Sequence, residues 1–245
     1  MSVGIQIGGN ISVGGGITIG NPTILMLNLD AANYTTGPWV DTISSRSFTL
    51  NNGVTYSSNG GGSLVFDANS AQYAECSSSL PNMDTWTVEA WHYYTGINAG
   101  TDSGGLGACL VTEKYLGVSI NYSLGNDEPS VGSPYDLQSG FYTDGSWKVT
   151  QFVPSGYTLS AGNWYQIVGT YDGSTIKLYV NNVLANSTSV VGTPTSSNAG
   201  IRLMRRWDNA DYWGGSLAIV KIYNGDIGQT GITNSWNNNK SRFGL

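Results

Sequence analysis

The chain has 245 residues, a formal net charge of −6 at neutral pH and a pI near 4.5. That balance excludes nucleic-acid binding through phosphates, which needs a basic face, and no run approaches the roughly 20 apolar residues of a membrane-spanning helix. With 34 Gly, 15 Tyr, 8 Trp and only 11% charged side chains, the composition suits short strands and many turns, and the length suits one large all-β sandwich or barrel.

Residues 1–22, MSVGIQIGGNISVGGGITIGNP, contain no charged and no aromatic side chain. Val3, Ile5 and Ile7, then Ile11 and Val13, then Ile17 and Ile19, alternate in three short runs separated by Gly clusters. So short and Gly-rich a segment builds no core of its own. Either it is a low-complexity leader, or it is an assembly arm whose strands order by adding to a partner's edge. A trimer braiding three arms, or a socket on a larger assembly, would serve. The start of the chain lacks the basic segment and apolar core of a secretory signal. The expectation is a soluble protein made in a cytoplasm, able to leave by a route such as cell lysis.

The globular part, 23–245, opens with a strand ending at Asp30, and Ser63 to Asp67 with Tyr73 to Cys76 read as the next strand pair. A long strand follows from Trp86 to Tyr94, with Trp86, Val88 and Ala90 on one face. Strands are read over 108–114, 118–124, 140–143 and 147–152, with Asp144-Gly145 as a hairpin turn between the last two. The clearest local signal is NWYQIVGTYDGSTIKLYVNN, Asn163 to Asn182. Its two runs, Trp164 to Tyr171 and Thr175 to Val180, alternate with period two around Asp172-Gly173-Ser174, as a hairpin with one buried face requires. Asn181-Asn182 gives a further turn, so the unit is a β-meander. Strands over 201–205 and 216–223 close the set. Only Ile227 to Lys240 offers a helix, and its Gly and Asn content disfavours one. About a dozen short, regularly spaced strands define an all-β, two-sheet antiparallel sandwich or a barrel.

Cys76 and Cys109 permit one disulfide, and buried thiols are the expectation in a reducing compartment. His92 is the single histidine and no cysteine pair has ligand spacing, which excludes zinc.

Six segments in order carry a resemblance: Leu29 to Tyr34, Gly62 to Asp67, Trp86 to Trp91, the hairpin at 163–182, Ile201 to Arg206, and Gly215 to Asn224. Together they resemble the laminin-G-like, concanavalin-A-like lectin/glucanase jelly roll, over roughly Leu25 to Tyr223. The closing residues Asn239 to Leu245 are similar to the ends of tailed-bacteriophage structural proteins that carry this domain. The resemblance implies two curved sheets with a concave face, and use on virions or in glycan recognition.

Glucanases of this fold place acidic residues alternately along one strand, which sets two carboxyls about 5 Å apart for retaining hydrolysis. The four glutamates here, Glu75, Glu89, Glu113 and Glu128, lack any such neighbour, and no Gly-x-Ser-x-Gly elbow accompanies His92. No catalytic residue is therefore assigned and the expectation is not an enzyme. Sugar faces stack on aromatic rings, and the densest patch is Arg205, Arg206, Trp207, Asp208, Asp211, Tyr212 and Trp213, on a loop between strands. The competing reading is that Tyr212 and Trp213 pack while the arginines pair with Asp208 and Asp211. Tyr142 and Trp147, flanking Asp144-Gly145, form a second candidate. No cofactor is required, although Asp30, Asp67, Asp208 and Asp211 could hold a structural calcium; strand-end aspartates also serve turn backbone groups. The expected protein is a phage virion subunit: head decoration, fibre or tail-associated. It would be anchored by its arm to other virion proteins, preferably as a homotrimer, and located on the virion. A free-standing carbohydrate-binding module for a host-surface glycan is the alternative, and a divergent glycoside hydrolase the third.

Overall fold

A computed structural model describes residues 23–95, 110–112, 137–150, 159–195, 199–206 and 212–245 in full; for 12–13, 17–18, 96–100, 109, 119–123, 136, 151–152 and 211 it describes the backbone alone. Within residues 1–22, β1 (Ser12–Val13) pairs antiparallel with β2 (Ile17–Thr18); the rest of the expected arm lies outside the described residues. The globular part starts with β3 (Ile24–Asp30), β4 (Trp39–Val40), β5 (Ser47–Asn51) and β6 (Thr55–Ser57). Next come β7 (Ser63–Phe66), β8 (Tyr73–Cys76) and the long β9 (Trp86–Gly100). They are followed by β10 (Cys109–Thr112), β11 (Ser119–Ser123), β12 (Asp136–Thr143) and β13 (Ser146–Phe152). The meander is β14 (Asn163–Tyr171), β15 (Thr175–Val180) and β16 (Val183–Ser189). Last come β17 (Ile201–Leu203), β18 (Asp211–Asn224) and the helix α1 (Gly228–Asn239).

Two antiparallel sheets face each other as a jelly-roll sandwich. One has the order β13-β12-β11-β10-β17-β8-β5-β4; the other runs β16-β15-β14-β9-β18-β7-β6, with β3 also paired to β18. The main core fills the space between them. Trp86, Phe141, Tyr171, Ile167, Leu178 and Leu217 belong to it, and all are essentially without solvent exposure.

One expected pairing is corrected. β7 and β8 are not partners: β7 pairs with β6 and β18, and β8 with β5 and β17 in the opposite sheet. Asp67 explains the crossing, because its carboxylate caps a 3-10 turn at Ala68–Ser70 by accepting the N–H of Asn69 at 3.0 Å, and this turn carries the chain between sheets.

The hairpin at 163–182 forms as read, with Asp172 accepting the N–H of Ser174 at 2.9 Å and of Thr175 at 2.8 Å. Its expected single buried face is also corrected, since both faces of β14 are covered. Ile167 and Tyr171 point into the main core, while Trp164 and Val168 on the other face join two smaller clusters with Phe243 and Ile232. The cover is α1 and the 3-10 turn Lys240–Phe243 that follows it. Tertiary contact overrides the poor local propensity of this tail. Ile232 is fully buried, and Trp91 on β9 stacks on Trp236 (5.6 Å between centroids) and on Phe243 (4.5 Å).

Candidate functional site

β17 ends in an unusual corner. Met204 holds a left-handed backbone (φ 62°), a conformation that costs a side-chain-bearing residue energy unless its surroundings enforce it. Here they do: Met204 donates its N–H to the carbonyl of Leu110 at 3.0 Å and accepts the N–H of Trp213 at 3.0 Å. The kink sends Arg205 out of its own sheet to form an antiparallel bridge with Tyr212 at the start of β18. The two sheets are thereby joined at this point.

The side chains meet where the backbones do. The Arg205 guanidinium carbon lies 4.0 Å from the centre of the Tyr73 ring and 5.6 Å from that of Tyr212, and the two rings are 6.2 Å apart, tilted by 51°. Tyr73 and Tyr212 are half-buried; Arg205 and Arg206 are buried. Tyr73, brought in from β8 in the other part of the chain, was absent from the candidates read in sequence. Trp207 and Asp208 lie outside the described residues, as does the side chain of Asp211. Trp213 is a correction: with no exposed surface and its ring edge-on to His92 at 5.1 Å, it packs the core and cannot stack on a ligand. Gly215 allows that packing, because a Cβ there would fall 2.6 Å from the His92 ring.

Tyr142 and Trp147 are directly paired across β12 and β13, ring to ring at 5.8 Å and edge-on, beside the Asp144-Gly145 turn. Both are half-buried. They do not converge with Arg205, since β12 and β13 are the third and fourth strands from β17.

Four of the described acids, Glu89, Glu75, Asp30 and Asp67, serve the framework. Glu89 is fully buried beneath α1, where its Oε1 accepts from Trp91 Nε1 (2.7 Å), Gln166 Nε2 (3.0 Å) and Ser235 Oγ (2.6 Å). Its Oε2 lies 3.9 Å from Lys221 Nζ. Glu75 faces Arg202 across the strand pair at 3.7 Å. Glu113 and Glu128 lie outside the described residues. Of the calcium candidates, Asp30 is held by Arg242 at 2.8 Å and by the N–H of Ala32 at 2.9 Å. Asp67 caps its turn, and the Ser70 hydroxyl and Asn69 N–H keep its carboxyl below the usual carboxylate range. Among the described residues no three His, Cys, Asp or Glu side chains gather as a metal set. His92 donates from Nδ1 to the Ser216 carbonyl at 3.1 Å, while its buried Nε2 has no partner among the described residues; burial lowers its pKa to about 3, so the ring stays neutral. Cys76 is a buried free thiol.

The fold and this corner define a lectin-type β-sandwich. Residues 66–233 match the concanavalin A-like lectin/glucanases superfamily, and the chain belongs to that family. No curated protein sequence matches. Among solved structures, domain 4 of AbnA, a GH43 extracellular arabinanase from Geobacillus stearothermophilus, in complex with arabinotriose, is similar at 15% identity and a TM-score of 0.64, over 87% of this chain and 98% of that one. The binding domain of Paraclostridial Mosquitocidal Protein 1 is similar at 14% identity and 0.63, over 88% of this chain. That of botulinum neurotoxin serotype D is similar at 12% and 0.60, over 88%. The chain spans about half of each toxin binding domain (52%).

Proposed function

We propose that this chain is a non-catalytic glycan-binding subunit displayed on a larger assembly, a tailed-phage virion, and attached through residues 1–22. The observation that carries the binding half is the corner itself: an arginine and two half-buried tyrosines gathered by a strained turn, in a sandwich whose buried glutamate Glu89 is sealed under a helix. A carboxyl with no exposed surface meets no substrate, which favours binding over hydrolysis. The arabinotriose complex of the similar arabinanase domain adds support from a shared fold. The display half rests on the uncharged, β-prone first 22 residues and on the resemblance of the closing sequence Asn239 to Leu245 to the ends of tailed-phage structural proteins.

A glycan array probed with the intact chain and with the Tyr212→Ala and Trp147→Ala variants tests the binding half. Binding of a defined sugar set, weakened about two- to tenfold by one of the substitutions, is the expected result, as for an aromatic stacking contact worth roughly 0.5–1.5 kcal/mol. An array with no bound glycan overturns it.

A further inference from the structure

We infer that the Arg205 corner is an anion-recognition site and that the glycan it takes is acidic, carrying a carboxylate on its pyranose ring. The inference rests on the glycan-binding reading and names the ligand class of that site.

Arg205 is more than nine-tenths buried. It keeps 8% of its surface, and its Nε is buried with no hydrogen-bond partner among the described residues. Among the described residues no carboxylate lies against it. Other cations of the chain are treated differently: Lys177 meets Asp172, Arg202 meets Glu75, Lys221 meets Glu89 and Arg242 meets Asp30. Withdrawing a guanidinium from water is costly, and truly buried charges are paired. The faces of Tyr73 and Tyr212 return part of that cost as cation–π attraction. They return none of the hydrogen bonds that the planar donor fork is built to make.

No such partner is present among the described residues, and a planar anion is the ligand whose shape would supply it. A carboxylate matches the fork with two parallel N–H···O bonds, and the tyrosines on either side offer their faces to the C–H surface of the sugar ring that bears it. Long-range attraction of polyanions cannot explain such binding, because the chain carries a net charge of −6. Recognition has to be local. Met204 supplies the preorganisation, since its enforced φ of 62° fixes Arg205 between the rings before any ligand arrives.

Two matched pairs of probes test this on the full chain by titration calorimetry: digalacturonate against its methyl ester, and 3′-sialyllactose against lactose. In at least one pair the acid is expected to bind tenfold or more tightly than its neutral counterpart. Which pair responds distinguishes a uronate from a sialate. Arg205→Met should erase the preference, and Arg205→Lys should restore only part of it, because an ammonium cannot bind bidentately. Should Arg205→Met fail to fold, the preference of the unmodified chain decides, together with Tyr73→Phe, which keeps the ring and should keep the preference. Equal affinity for acid and neutral sugar overturns the anion site and leaves glycan binding standing. If no probe binds while the array shows neutral glycans, the anion site also falls; if neither shows any sugar, both readings fall.

Discussion

His92 sits between two worlds on one ring: Nδ1 donates to the Ser216 carbonyl, and Nε2 faces the interior beside Trp213 with no partner among the described residues. Adding a proton there would bury a charge, which is why burial drives its pKa from 6.5 to about 3. The linkage has a definite sign. Between those two values the unfolded chain binds the proton and the folded chain does not, so stability falls as pH drops below 6.5. The slope approaches about 1.4 kcal/mol per pH unit, or roughly 2 kcal/mol lost by pH 5. Asp172 acts lower down: burial pushes its carboxyl up, but Lys177, Ser174 and Thr175 outweigh that and hold it at about 2. Its stabilisation is present above 3.8 and fades only as pH falls toward 2. Urea unfolding at pH 7, 6 and 5 should therefore show a decline that His92→Gln flattens. A wild-type stability that is level over that range contradicts the buried neutral ring. The same scale shows what a linear reading misses. Arg205 and Tyr212 were visible as a dense polar-aromatic patch, but Tyr73 is far upstream and reaches them only because β8 and β17 pair. Trp213 looked equally available in sequence, and only its position on β18 beside His92 removes it from the surface.

At the scale of elements, the period of two in β9, β14, β15 and β18 was legible because each is long and apolar on alternate positions. β4, β5, β6 and β16 were not assigned bounds, being short or, in β16, exposed at Val183 and Leu184 with no apolar alternation to mark a buried face. α1 was disfavoured for a different reason: Gly228, Gly231 and a run of Asn leave little intrinsic helicity. Its stability comes from what it covers. Asp226 accepts the N–H of Gly228 at 2.8 Å and Thr87 accepts that of Ile227 at 3.1 Å, fastening the start to the sheet. At the far end Arg242 donates to both Asp30 oxygens (2.8 and 3.1 Å) and to the Gly62 carbonyl (2.8 Å), while Phe243 fills the space between Trp91 and Trp164. The last residues thus latch onto the end of the first strand of the domain. Phe243→Ala should cost about 3 kcal/mol, the lower end for removing a buried aromatic, read as a lower urea midpoint at unchanged slope. Arg242→Ala should cost about 1 kcal/mol, since its ion pair with Asp30 is partly exposed and solvent screens it. A Phe243→Ala variant as stable as the wild type would show that the latch is incidental.

For the whole molecule the question is what joins one copy to its surroundings. Among the described residues the core clusters begin at Leu27. Within residues 1–22 the two strands β1 and β2 are two residues each, too little to stand alone in water. Among the described strands β16 ends its sheet, and its Val183 is 57% and Leu184 49% exposed. Unpaired strand edges accept further strands, and symmetric closure between copies is one way to protect them. An uncharged strand-forming arm and an exposed edge fit each other in chemistry, which is the physical case for proposing a homotrimer and attachment to a larger assembly. Deleting 1–22 should leave circular dichroism and the unfolding midpoint of the domain unchanged to within about 0.5 kcal/mol, the range of changes that touch no core group. It should also reduce the mass in analytical ultracentrifugation to that of a monomer and abolish incorporation into particles. Val183→Lys separates the two roles of the arm. A charge on the edge opposes strand addition there, so loss of the oligomer in this variant with the arm intact places the contact at β16. A truncated chain that still sediments as a trimer and still enters particles removes the arm from assembly altogether.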